Sequence, residues 1–134
     1  MRCLRQAFRR GEGGQAMVEM CLVLPLFLLL VLGMAEVGRA LATFLTLEHA
    51  AREGARVAIV GASDAEIEER VREAASWLDQ GRLQVVVDPP EGERLSGQMV
   101  TVTVRYSYQF LAPFLDYVAG QFLPLKSSLS MRVE

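Results

Sequence analysis

Residues 14–35 read Gly14-Gln15-Ala16-Met17-Val18-Glu19-Met20-Cys21-Leu22-Val23-Leu24-Pro25-Leu26-Phe27-Leu28-Leu29-Leu30-Val31-Leu32-Gly33-Met34-Ala35, and they decide the architecture of this 134-residue chain. Met20 to Ala35 carries no charge, and only Glu19 separates it from the apolar residues Ala16, Met17 and Val18. As a helix, Ala16 to Ala35 spans about 30 Å, the thickness of a bilayer's hydrocarbon core. A buried helix in a globular protein of this size keeps polar residues along one face, and this run has none. The stretch therefore predicts a transmembrane helix over about 16–38.

The flanks give that helix a direction. Before it stand Arg2, Arg5, Arg9 and Arg10 against Glu12 alone; after it Glu36, Arg39, Glu48, Arg52 and Glu53 nearly balance. The excess of arginine places the N-terminus in the cytoplasm and the remainder outside it. The overall charge of -2 thus divides into +3 on residues 1–14 and -5 on the rest. Without clustered bases beyond the leader, no nucleic-acid surface is expected. The length allows one modest core.

Two fates fit a basic leader followed by an apolar run. In one, Gly33 and Ala35 are the small residues before a signal-peptidase cut, which releases a soluble secreted binding module beginning at Glu36. In the other the helix stays as an anchor, with or without processing elsewhere, and an uncleaved anchored binding domain is one version. The run is long for a signal sequence, and Pro25 lies inside it. An anchor must accommodate Glu19, which is near enough to the cytoplasmic interface to reach water.

Gly11-Glu12-Gly13-Gly14 followed by Gln15-Ala16-Met17-Val18-Glu19 resembles a prepilin peptidase substrate: a basic leader ending in Gly, with Glu five places on and a long apolar stretch behind it. A cut between Gly14 and Gln15 makes Gln15 the mature N-terminus and Glu19 its fifth residue. A free amine and a carboxylate at the edge of the apolar zone then neutralise each other, within one chain or between packed neighbours.

The wider stretch from Gly14 to Gly61 resembles the TadE-like family of minor pseudopilins from tight-adherence (Tad/Flp) pilus systems. The matching pieces are the Glu19 junction, Leu24-Pro25, the exit Glu36-Val37-Gly38-Arg39-Ala40, and Ala50-Ala51-Arg52-Glu53-Gly54-Ala55-Arg56. Met20 stands where the family often has an aromatic residue. The resemblance implies a non-enzymatic, single-pass protein of the bacterial inner membrane, acting in pilus biogenesis, adhesion or secretion. Its implied partners are membrane lipid, the prepilin peptidase, other pilin-like subunits and the assembly machinery, with no cofactor and no small-molecule substrate.

Within the stem, Pro25 lacks an N–H and predicts a kink. Gly33 and Gly38 offer places where another helix can approach. Glu36 and Arg39, three apart, can pair where the run meets water, or anchor the helix at the interface. The small residues of 50–56 allow one face to pack closely while Arg52, Glu53 and Arg56 stay wet, with Gly54 a tolerated weak point. A helix from Gln15 through Val60 is about 69 Å long. His49 and Glu53 lie one turn apart, but with one histidine in the chain they do not make a zinc set. Cys21 reads as a small apolar residue, and no catalytic constellation appears.

The chain is thus expected to comprise a basic leader (1–14), a stem (15–60) and a small exported α+β head (61–134). Ser63 and Glu66 form a capping-box pattern, opening a helix whose stripe is Ile67, Val71, Ala74, Ala75 and Leu78 and which Gly81 closes. Leu83, Val85 and Val87 alternate as a strand that ends at Asp88-Pro89-Pro90. Val100, Val102, Val104, Tyr106 and Tyr108 alternate in a second strand, and Leu129, Met131 and Val133 in a third. Phe110 to Leu125, broken by Pro113, Asp116, Gly120 and Pro124, reads as a loop or short helix packed on the head and a candidate subunit contact.

Overall fold

The structure, a computed structural model, describes residues 3–111, 120 and 122–133, with side chains from residue 14 onward. The side chains of the arginine-rich leader and of Cys3 lie outside the described residues, as does most of the interrupted apolar segment, 112–119. The order of elements is α1 (Cys3–Ala58), α2 (Asp64–Ala74), a 3-10 turn (Gln80–Arg82), β1 (Leu83–Asp88), β2 (Met99–Gln109) and β3 (Phe122–Arg132). This is an α+β fold with, among the described residues, one helix long and apolar enough to cross a membrane. Two compact units divide the chain, Met1–Val37 and Gly38–Glu134, and α1 contributes to both.

The second unit is built on an antiparallel sheet in the order β1-β2-β3. Leu83 pairs with Tyr106 and Val87 with Val102, while Val102 pairs with Leu129 and Tyr106 with Leu125. Alternation along β2 puts Val100, Val102, Val104, Tyr106 and Tyr108 on one buried face. Against that face pack Leu47, Ala50, Ala51, Ala55 and Ala58 of α1, with Ile67 and Val71 of α2. The α1 residues recur at helical spacing, so a single stripe, all alanine after Leu47, meets the sheet while Arg52 and Arg56 remain exposed.

Gly54 is more than a tolerated residue of α1. A Cβ placed there would lie 2.5 Å from Val71 Cγ2 and 3.2 Å from Val102 Cγ1. Two elements converge on the helix at this point, and a hydrogen in place of a side chain is what lets them approach. The helix ends soon after, and the chain leaves through Gly61 at φ 83, a conformation that glycine adopts without cost.

The capping box forms as the spacing predicts: Glu66 N–H donates to Ser63 Oγ, and Ser63 N–H donates to Glu66 Oε2 at 2.9 Å. α2 nevertheless stops at Ala74 and does not reach Gly81. The Gln80 amide donates to the carbonyls of Ala75 and Leu78, which satisfies backbone groups that further helix would have used. Ala75 and Leu78 are buried as their periodicity suggests, but from turns beyond the helix end.

β3 begins at Phe122, four residues inside the segment expected to be loop or short helix. Leu123 and Leu125 pair with Tyr108 and Tyr106, continuing the ladder. Pro124 is compatible with this because β3 is an edge strand. The connection after β1 is held by Arg94. Its guanidinium donates to the carbonyls of Ala62 and Pro89 and forms an ion pair with Asp64, and its side chain is 7% exposed. Burial draws the Arg94 pKa below its ordinary value.

Candidate functional site

The first unit consists of the residues whose chemistry the sequence singles out most clearly. Met17, Leu22, Leu26, Phe27 and Met34 are each more than half exposed, and the apolar side chains are distributed around the helix, not confined to one stripe. Exposing this much apolar surface to water is unfavourable at roughly 25 cal/mol per Å². Hydrocarbon removes that cost on every side of the helix at once. The intrahelical hydrogen bonds meanwhile satisfy the backbone, as a bilayer requires.

Gly14, Gln15 and Glu19 all lie in α1 and are exposed, with Glu19 one turn beyond Gln15. Pro25 lies inside the helix, where it cannot donate to the carbonyl one turn earlier. A Cβ at Gly14, Gly33 or Gly38 would meet nothing within 4 Å, so among the described residues no contact requires glycine at these positions. Glu36 is buried, 5% exposed.

Arg39 has a role that the sequence reading did not assign. Its Nε donates to Tyr108 Oη at 2.8 Å, and its Nη2 donates to the Gln109 carbonyl at 2.8 Å. The guanidinium carbon also sits 5.0 Å from the centre of the Tyr108 ring. Arg39 therefore ties α1 to the last two residues of β2. Nothing in the sequence signals a pairing across 69 positions except the buried-face register of Tyr108, whose hydroxyl needs a partner.

The remaining stem residues are held in the second unit. Arg52 pairs with Glu48 at 3.1 Å, one turn away, and Glu53 pairs with Arg70 of α2 at 3.4 Å. Arg56 is exposed. Glu48 and Glu53 are thus engaged with guanidinium groups, while His49 is exposed; among the described residues no cluster of potential metal ligands forms. A cleft of about 440 Å³ is lined by Arg39, Thr43, Trp77, Arg82, Tyr106 and Phe110, among others. Its described lining offers rings and guanidinium groups, with no carboxylate, histidine or cysteine to act as a base or nucleophile.

No curated protein and no solved structure matches the chain. The junction at Gly14 and Glu19, the exposed apolar helix, the Arg39 anchor and the small residues around the Gly54 contact are consecutive pieces of one stretch, and that stretch, residues 14–56, matches the family model of the TadE-like proteins, a pilus-associated family.

Proposed function

We propose that the chain is a single-pass membrane subunit of a Tad/Flp-type pilus, with a structural and not a catalytic role. The supporting observation is the apolar half of α1, exposed on all sides, directly behind the Gly14–Glu19 junction and inside the stretch that matches the TadE-like family. In this reading the leader lies in the cytoplasm, the span of about 16–38 crosses the inner membrane, and the head is exported. Prepilin peptidase cuts between Gly14 and Gln15. The new amine and the Glu19 carboxylate, one turn apart, neutralise each other at the membrane edge or across to a neighbouring subunit. The helix stays with the protein because the cut precedes it, so the span remains available to pack with other pilin-like helices.

A second reading draws on the position of the core. All of its buried residues lie at Leu47 or beyond, so a cut after Ala35 would release a head with that core complete. One experiment separates the two: the intact mass and N-terminal sequence of the protein in membrane and soluble fractions. A membrane-bound chain starting at Gln15 supports the pilus reading, and an intact leader in the native host refutes processing. A soluble chain starting at Glu36 supports release. Deleting the protein and counting surface pili tests the pilus role directly.

A further inference from the structure

The second unit has two faces of opposite charge. β2 and β3 carry Arg105, Lys126 and Arg132 and no acid. α2 carries Asp64, Glu66, Glu68, Glu69 and Glu73 against Arg70 and Arg72. Strand alternation puts the three bases on the side of the sheet opposite Val100, Val102 and Val104, hence away from α1 and α2, and Asp88 at the end of β1, opposite Thr101, is the one acid on that side among the described strand residues.

Arg105 and Lys126 stand directly opposite each other in the β2–β3 register, both exposed. Like charges so placed repel and weaken the sheet. Protection of an edge strand explains Lys126, because a lysine there discourages addition of another strand. It does not explain Arg105, which is on the central strand. Gln84 is their neighbour on β1, and Thr103, Ser107 and Ser128 flank them. Among the described residues no carboxylate pairs with either base.

The acidic face has the converse arrangement. Asp64 is held by Arg94, Glu66 by the Ser63 cap, Glu68 by Arg72 and Glu73 by Arg70. Glu69 is exposed and has no ion-pair partner among the described residues. Glu69 lines a shallow groove of about 550 Å³ together with Glu68, Arg72 and Glu73.

We propose that the basic sheet face of one copy, through Arg105 and Lys126, docks on the α2 groove of the next copy, through Glu69 and Glu73. A second copy is the occupant favoured by charge complementarity, since every chain carries both surfaces. The contact joins two different surfaces, so it propagates head to tail and forms a ring or an open array. Exposed ion pairs are individually weak. The contact therefore operates between copies already concentrated by a shared membrane or assembly. It goes beyond the pilus reading and requires neither cleavage at Gly14 nor pilus formation.

Lys126 is the sole lysine in the sequence, which makes the test selective. Full-length protein, half of it isotopically labelled, is reconstituted in zwitterionic vesicles and treated with a carbodiimide that joins amines to carboxylates in direct contact. The expected product is a mixed-isotope peptide joining Lys126 to Glu69 or Glu73, diminishing as salt is raised. Arg105→Glu is expected to lower its yield about fivefold. R105E/K126E has no lysine and E69K/E73K lacks both acceptor carboxylates, so neither variant can form the Lys126 link alone; mixed, they should form it between copies, a recovery that misfolded variants could not give. Crosslinks from Lys126 to other carboxylates, a yield indifferent to charge reversal, or no recovery on mixing would overturn the proposal. So would binding of soluble polyglutamate at Arg105 and Lys126 without any link between copies, which would assign the face to another partner.

Discussion

The two halves of α1 are the same backbone with opposite side-chain economies. Between Met20 and Leu32 the residues are mostly large, apolar and exposed on all sides; between Ala50 and Ala58 the inward positions are small and buried, and Arg52 and Arg56 point outward. A sheet covers only one side of a helix, so it can serve the second half but not the first. Size matters as much as polarity. Alanine and glycine let a sheet and a second helix approach closely, whereas leucines at the same positions would hold them apart. The lesson is that helix propensity and length say little here, and the distribution of bulk around the helix decides which solvent each half takes.

The strongest way to break this comparison is to charge the apolar half. Leu28→Arg places a guanidinium near the middle of the run, at an insertion cost of about 3 kcal/mol. Retention of the protein in carbonate-washed membranes should fall sharply, while the thermal midpoint of the second unit stays unchanged. A shift of that midpoint would mean that the halves are not separate in their requirements.

The complementary change is Gly54→Ala. The added methyl would sit 2.5 Å from Val71 Cγ2, so a neighbour must move. Overpacking of this kind costs about 2 kcal/mol, read from denaturant unfolding of the second unit, with membrane retention unaffected. Val71→Ala in the same chain should return part of the loss, because the two sites share one contact. Additive losses would show that the approach of α2 is not what demands glycine.

These two positions also show how far the sequence could be read. The apolar half was legible because whether a helix is long and apolar enough to cross a membrane depends on composition and length, which are local. The capping box and the alternation of β2 were legible for the same reason, since Ser63 with Glu66, and Val100 through Tyr108, carry their signals within a few residues. Gly54 was not, because glycine in a helix reads as a weak point until the partners 17 and 48 positions away are known. The early end of α2 depends on Gln80 reaching back to two carbonyls, and the extension of β3 to Phe122 depends on its pairing with Gln109. Each is a tertiary choice that overrides a local preference. The proposed cut between Gly14 and Gln15 differs in kind, because it would depend on an enzyme outside the chain and not on any contact of the fold.

Arg39 sharpens the comparison at the start of the second half. Arg39→Met keeps the bulk of the stem and removes two hydrogen bonds and the contact with the Tyr108 ring. A loss of about 1.5 kcal/mol is expected. Amide exchange should quicken at Tyr108 and Gln109 before it does so at Val102. Unchanged exchange there would assign Arg39 to interface anchoring alone.

The smallest effect lies beyond α1 altogether, and it is the one that depends on pH. Ser63→Ala removes the cap of α2 at a cost of about 1 kcal/mol. The backbone N–H and hydroxyl of Ser63 hold the Glu66 carboxyl below its ordinary carboxylate value. A carboxyl with a lowered folded pKa binds its proton more readily when unfolded, so its contribution to stability is complete above the ordinary value and is lost as pH falls through the folded one. Lowering the pH from neutral to below the carboxylate range should therefore lower the thermal midpoint more in the parent than in Ser63→Ala. Because Glu66 is at the surface, the difference should be small and should survive in Leu28→Arg, whose apolar half is altered far from the cap. Equal acid sensitivity in parent and Ser63→Ala would mean that the hydroxyl adds nothing and that the backbone N–H, which alanine keeps, holds Glu66 alone.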